Sequence, residues 1–77
     1  MSRFGGLKPR EVLRTLQKAG WYVHETTGSH VHLKHRTKSG RVTVPYHQGF
    51  DLPKPIVRSI IRQAGLTPDE FDDLLKQ

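Results

Sequence analysis

The chain contains no cysteine, and this absence excludes every chemistry that depends on a thiol. None of its 77 residues is cysteine, so disulfides, thiolate nucleophiles and cysteine-ligated zinc sites are all ruled out. Long apolar runs are lacking as well, and hydrophobic residues make up only 34% of the chain. The sequence therefore predicts no membrane span and no secretion signal, and a reducing cytoplasm is the expected location. We expect one domain spanning residues 1–77, with residues 1–7 flexible.

Acidic residues are scarce in most of the chain. Residues 1–66 carry twelve Lys/Arg against three Asp/Glu, a balance of +9, whereas residues 67–77 carry one Lys against four Asp/Glu, a balance of −3. A small body with this much positive charge is typical of proteins that bind polyanions, nucleic acid above all. The alternative interpretation is a basic surface that serves only solubility.

Hydrophobic periodicity predicts the order of the secondary-structure elements. Apolar residues at helical spacing indicate a first helix over residues 9–19, and Gly20 follows as its stop. The period then changes to two, which indicates three short strands that start at Trp21, His30 and Arg41 and are joined by polar turns. A second helix opens at Pro55, and a capping box that begins at Thr67 opens a short third helix.

This order predicts an α+β fold in which a helix, a three-stranded antiparallel sheet and a second helix are followed by a short C-terminal helix. Each long helix has one apolar stripe, so both are expected to cover the same face of the sheet. Strand parity assigns to that inner face Trp21, Val23, Val31, Leu33, Val42 and Val44. The outer face then carries Tyr22, His24, His30, His32, Lys34, Arg41 and Thr43.

The five histidines lie within a short stretch, residues 24–47, and three interpretations compete for them. His24, His30 and His32 could ligate a metal, although a bare His-x-His is a weak signal and no acid close in sequence would orient the rings. They could equally be ordinary surface residues of a basic protein. The third interpretation is acid–base chemistry on RNA.

RNA supplies its own nucleophile, the 2′-hydroxyl, so a protein can cleave it with a base, an acid and positive charge for the phosphorane. Histidine exchanges protons near neutrality. His30 is the best candidate because it follows the Gly28-Ser29 turn at the first position of its strand. Candidate RNA- or phosphate-binding residues are Gly28, Ser29, Lys34, Arg36, Lys38 and Arg41. His24 and His32 are candidate auxiliary groups, and we expect no metal and no cofactor.

Several segments of the chain resemble the HicA toxin family. The first is the segment Thr27-Gly28-Ser29-His30, a few residues after Gly20-Trp21. The resemblance continues through residues 40–45, His47, residues 51–54, residues 58–66 and Glu70-Phe71, so it covers about residues 8–75. Each piece alone is weak, and the ordered set over this length is specific.

The resemblance implies a fold, an activity and partners. HicA toxins are small mRNA interferases with a fold like the double-stranded-RNA-binding domain, and they cleave RNA with a single essential histidine that maps onto His30. A later family histidine maps onto His35, for which we expect a structural or secondary role. The implied partners are mRNA and a HicB antitoxin that blocks the toxin.

The chain departs from the family pattern at three places. Pro55-Ile56 stands where the family usually has Gly-Thr, and Phe50 stands where a lysine or another polar residue is common. His32 is commonly apolar or aromatic, which argues against an obligatory His30–His32 metal pair. Two other hypotheses stay open from the residues alone: a non-catalytic RNA-binding module of the same fold, and a DNA-binding protein, for which no helix–turn–helix spacing is evident.

Overall fold

The computed structural model describes residues 4–77. Its elements are α1 (Pro9–Lys18), β1 (Trp21–Thr27), β2 (His30–His35), β3 (Val42–Pro45), α2 (Lys54–Gln63) and α3 (Pro68–Leu75). The strands form one antiparallel sheet in the order β1-β2-β3. The predicted α+β order is confirmed, and it is the arrangement expected of the double-stranded-RNA-binding-domain-like fold. No helix within residues 4–77 has the length and apolar character needed to cross a membrane.

The helices cover one face of the sheet. Helix α1 packs on β1 and β3, α2 packs on β3, and α3 packs against both other helices. The apolar residues buried between these layers are Phe4, Leu7, Val12, Leu16, Trp21, Val31, Leu33, Val42, Val44, Leu52, Val57, Ile60, Ile61, Ala64 and Phe71. Burial of this set is the main stabilising term available to a chain this short and without disulfides.

Five of the six residues predicted for the inner face are buried, and Val23 is the exception. Val23 lies opposite Leu33, but 45% of it is exposed. On β1 only Trp21 is buried, and every residue from Tyr22 to Thr27 is exposed. The part of β1 after Trp21 thus extends beyond the cover of the helices, whereas Val31 and Leu33 of β2 are buried, and strand alternation cannot reveal this difference.

A register shift in β1 changes which residues share the outer face. Val23 pairs with Leu33 and Glu25 pairs with His32, so His24 has no partner on β2. A β-bulge of this kind adds one residue to one strand and reverses the parity beyond it. Thr26 therefore lies opposite the inner-face residue Val31, whereas strict alternation from Trp21 and Val23 would place it on the outer face. Strict alternation therefore fails for the residues that follow His24, since Glu25 lies opposite the outer-face residue His32.

The chain ahead of α1 contributes two residues to the core. Phe4 and Leu7 are 7% and 8% exposed, and the Phe4 ring meets Phe71 of α3 edge-to-face at 5.5 Å. The Leu52 N–H donates to the Leu7 carbonyl at 2.8 Å. These contacts place Phe4 and Leu7 in the core, whereas a flexible start was expected for residues 1–7; residues 1–3 lie outside the described residues. Sequence periodicity does not predict the burial of Phe4 and Leu7, because two apolar residues separated by two glycines form no helical or strand pattern.

Helix α3 begins with the predicted capping box. The Glu70 N–H donates to Thr67 Oγ1 at 3.1 Å, and the Thr67 N–H donates to the Glu70 carboxylate at 2.8 Å. The Thr67 backbone N–H, followed by its hydroxyl, lowers the pKa of the Glu70 carboxyl below its usual value. These bonds satisfy donors that the first turn of a helix leaves free.

His35 fastens the end of β2 to the end of α1. Its Nε2 donates to the Ala19 carbonyl at 3.1 Å, and its Nδ1 accepts from the N–H groups of Thr37 and Lys38, each at 3.2 Å. This bonding pattern requires the neutral tautomer with the proton on Nε2. The ring also meets Trp21 edge-to-face at 5.2 Å. These contacts are structural, in keeping with the role expected for His35.

Gly20 is required where α1 turns into β1. Its φ is +96°, and a Cβ there would lie 2.6 Å from His35 Nε2. Gly40 has a similar φ of +86°, but a Cβ there would meet nothing within 4 Å. Comparing the two positions separates backbone strain from displacement of His35.

We expect Gly20→Ala to destabilise the fold more than Gly40→Ala. A left-handed backbone costs an L-residue roughly 1–2 kcal/mol, and this is the full expected loss for Gly40→Ala. Gly20→Ala should lose more because the new methyl group must also displace His35. Urea unfolding of both variants measures the difference, and equal losses would contradict the assigned contact.

Candidate active site

His30 stands exposed on a backbone that is held on both sides. It is the first residue of β2 and pairs with Thr27 of β1 and with Pro45 of β3. Val31 next to it points into the core and is only 8% exposed, whereas His30 belongs to the exposed residues. An imidazole that is open to solvent and carried by a fixed strand position can meet a substrate, as the acid–base hypothesis requires.

The turn that precedes His30 leaves open space for a ligand. Gly28 and Ser29 connect β1 to β2. Gly28 has a φ of +58°, and a Cβ there would meet nothing within 4 Å. A residue with a side chain would be strained in this conformation, so glycine suits both the turn and close approach of a substrate.

The structure brings a second histidine to the same end of the sheet. The Tyr46 N–H donates to the Ser29 carbonyl at 2.5 Å, which continues the β2–β3 pairing past Pro45. His47 Nε2 then lies 3.4 Å from Ser29 Oγ. Sequence reasoning did not include His47 among the site residues. The antiparallel register was the missing signal, because the start of β2 must lie beside the end of β3.

The other histidines have different surroundings. His32, half-buried, has its Nδ1 3.1 Å from Thr43 Oγ1 across the β2–β3 pairing, and Glu25 lies opposite it on β1. His24 is exposed at the bulge. Within residues 4–77, no group of three or more His, Cys, Asp or Glu side chains is arranged to hold a metal ion.

The predicted phosphate-binding cations lie toward the opposite end of the sheet from His30. Lys34 is four residues further along β2, about 13 Å away at the usual rise of a strand. Arg41 immediately precedes Val42, which pairs with Leu33, so Arg41 lies near the Lys34 end. Arg36 lies beyond the end of β2 and is exposed. These cations border the open sheet and do not surround His30.

Lys38 has a structural contact of its own. Its Nζ donates to the Ala64 carbonyl at 3.0 Å, at the end of α2. A cation at this position satisfies a free carbonyl and complements the negative end of the helix dipole.

The sequence was also compared with models of known protein families and with curated proteins. The sequence model of a family described as HicA toxin of bacterial toxin-antitoxin matches residues 9–66. The match spans α1, the whole sheet and α2 and includes His30 and His47. No curated protein matches the chain.

We expect Lys38→Ala to reduce stability by about 0.3–1 kcal/mol, the usual value of a cation at a helix C-terminus. Arg36→Ala is the matched control, because Arg36 is an exposed cation of the same turn. Chemical denaturation of both variants measures the effect. Equal stability of the two variants would show that the Lys38 contact contributes nothing.

Proposed function

Because the chain belongs to the HicA toxin family, we propose that it is the toxin of a type II toxin–antitoxin system and acts as an mRNA interferase. In this proposal it is an endoribonuclease that cleaves RNA without a metal ion, in the cytoplasm, with His30 as its essential catalytic residue. The observation that carries the proposal is the exposed imidazole of His30 on a doubly paired strand position of a basic protein.

The reaction follows from the substrate's own chemistry. His30 takes part in proton transfer while the 2′-hydroxyl of one ribose attacks the adjacent phosphorus. The bond to the 5′-oxygen of the next nucleotide then breaks, and a 2′,3′-cyclic phosphate and a 5′-hydroxyl remain. A positioned histidine typically contributes about 10²–10⁴-fold to such a rate.

Positive charge supports RNA as the substrate. Residues 1–66 carry a net charge of +9. Contacts between Lys or Arg side chains and phosphates provide most of the non-specific affinity for nucleic acid. In the proposal, Gly28 and Ser29 border the scissile phosphate. Lys34 and Arg41 bind phosphates further along the strand, since single-stranded RNA extends over several nucleotides. Arg36 and Lys38 are further proposed contacts for a longer RNA, and His24 and His32 remain proposed auxiliary groups.

His30→Ala tests the proposal. We expect the wild-type protein to cleave a long single-stranded RNA in the presence of EDTA, and His30→Ala to be slower by about 10²-fold or more. RNA affinity and thermal stability of the variant should stay close to wild type, because His30 is exposed and its backbone pairing does not depend on the ring.

The same assay separates the alternatives. Binding without cleavage by either protein would establish the non-catalytic RNA-binding module instead. Cleavage that EDTA abolishes would show that a metal ion is needed, and His30→Ala with full activity would remove His30 from the mechanism.

The proposed protein partner is a HicB-type antitoxin that covers the surface around His30. A basic, open face attracts an acidic inhibitor through long-range steering and charge pairing. We expect a stoichiometric amount of the co-encoded antitoxin to stop RNA cleavage and to shield His30 from carbethoxylation by diethyl pyrocarbonate. An inhibited complex in which His30 reacts as fast as in the free toxin would contradict direct occlusion.

A further inference from the structure

A groove lies beside His47, at the end of the sheet where β2 begins. The loop after β3 and the start of α1 enclose a volume of about 300 Å³. His47 lines this groove, and the same ring lies 3.4 Å from Ser29 Oγ, next to His30. His47 is therefore shared by the groove and the candidate active site. Its size is at the lower end of the range of small-ligand sites, roughly 300–1,000 Å³.

The loop that forms the groove is held in place at both ends. The Tyr46 N–H binds the Ser29 carbonyl, and the Leu52 N–H binds the Leu7 carbonyl. Between them the Phe50 N–H donates to the His47 carbonyl at 3.2 Å, with Gly49 at a φ of +86°. This is a tight four-residue turn whose third position requires a left-handed backbone. The turn fixes the spacing of His47 and Phe50, both of which line the groove.

The groove combines aromatic rings with positive charge. Phe50 is 70% exposed and Tyr46 is 37% exposed, and both line it. Arg10, an exposed residue of α1, lines the other side together with Lys8. Lys8 is already paired with Asp51 at 3.4 Å, so Arg10 is the better phosphate contact.

These properties fit a nucleotide better than an apolar ligand. Single-stranded nucleic acid is bound by aromatic faces on which bases stack, alongside cations that follow the backbone. A phenylalanine exposed to this extent gains from being covered, and the neighbouring cations favour an anionic occupant over a purely apolar one.

We propose that this groove holds the nucleotide on the leaving side of the scissile phosphodiester, with its base against Phe50, and that His47 protonates the departing 5′-oxygen. The proposal rests on the ribonuclease activity proposed above and supplies its missing second proton-transfer group.

The step balances without a further reactant. His30 removes the proton from the 2′-hydroxyl, a bond forms between the 2′-oxygen and phosphorus, and the bond from phosphorus to the 5′-oxygen breaks. The imidazolium of His47 gives its proton to that oxygen. His30 is assigned to the nucleophile because in-line attack requires the more accurate positioning, and His30 lies on a paired strand whereas His47 lies on a loop.

The test compares two substrates that differ only in the leaving group. One is an RNA oligonucleotide with a mapped cleavage site. The other is the same oligonucleotide truncated at that site, with a 4-nitrophenyl ester on its 3′-phosphate. The nitrophenolate leaves without a proton and carries no nucleotide for the groove.

On the RNA, we expect His47→Gln to lower kcat by about 10²–10⁴-fold, the range for a lost general acid. Phe50→Ala should lower kcat/KM by about tenfold to a hundredfold, the range for a lost stacking partner. Phe50→Trp should retain activity. On the aryl ester, His47→Gln and Phe50→Ala should both match wild type, while His30→Ala stays impaired on both substrates.

Val23→Ala is the control for removing an exposed apolar side chain, since Val23 is 45% exposed and does not line the groove. Thermal unfolding of each variant shows whether the fold persists.

His47→Gln with full activity on RNA, or with equal losses on both substrates, would overturn the assignment of His47 as the acid. Phe50→Ala that leaves RNA cleavage unchanged and weakens only antitoxin binding would make the groove a protein-docking site. If wild-type protein cleaves neither substrate, the proposed ribonuclease function fails, and the subsite fails with it.

Discussion

The pairing of His30 with Pro45 is the contact on which the arrangement of the site depends. It joins the first residue of β2 to the last residue of β3, and the Tyr46–Ser29 hydrogen bond extends the same pairing by one step. Because the register is antiparallel, the turn before β2 and the loop after β3 must meet at one end of the sheet. The same register directs Val31 and Val44 into the core. Burial of Val31 and Val44 therefore fixes the register of β2 and β3. That register in turn brings the turn before His30 next to the loop that carries His47.

This arrangement leaves the His30 ring accessible to a substrate while the backbone that carries it is held in a fixed position. The backbone of His30 is paired on both sides, so its imidazole starts from a fixed position although the ring itself is exposed. Positive charge is spread over the molecule instead of being concentrated at His30, since Lys34 and Arg41 lie toward the other end of the sheet and Arg10 lies at the start of α1. Such a distribution suits an extended polyanion that crosses the proposed catalytic position, with contacts on both sides of it.

Much of the fold could be predicted from the sequence because local signals agreed with one another. Helical spacing, strand alternation and the Thr67 capping box all depend on neighbouring residues, and each was confirmed except for the alternation in β1, where Val23 is exposed and the parity changes after His24. The bulge at His24 could not be predicted, because an extra residue within a strand leaves no mark on composition and reverses the parity that follows. The position of His47 beside Ser29 also needed the register, which alternation alone does not give. Lys38 was indistinguishable in sequence from its exposed neighbour Arg36, and only the packing of α2 reveals its carbonyl partner.

The chemistry of the product ends tests the central claim most directly, namely that an exposed histidine promotes attack by RNA's own hydroxyl. RNA cleaved in the presence of a chelator should carry 2′,3′-cyclic phosphate and 5′-hydroxyl termini, because the 2′-oxygen displaces the next nucleotide. Mass spectrometry of the fragments distinguishes these ends from 3′-hydroxyl and 5′-phosphate termini. The second pair of ends would mean that water or hydroxide attacks the phosphorus, and it would contradict the mechanism assigned to His30.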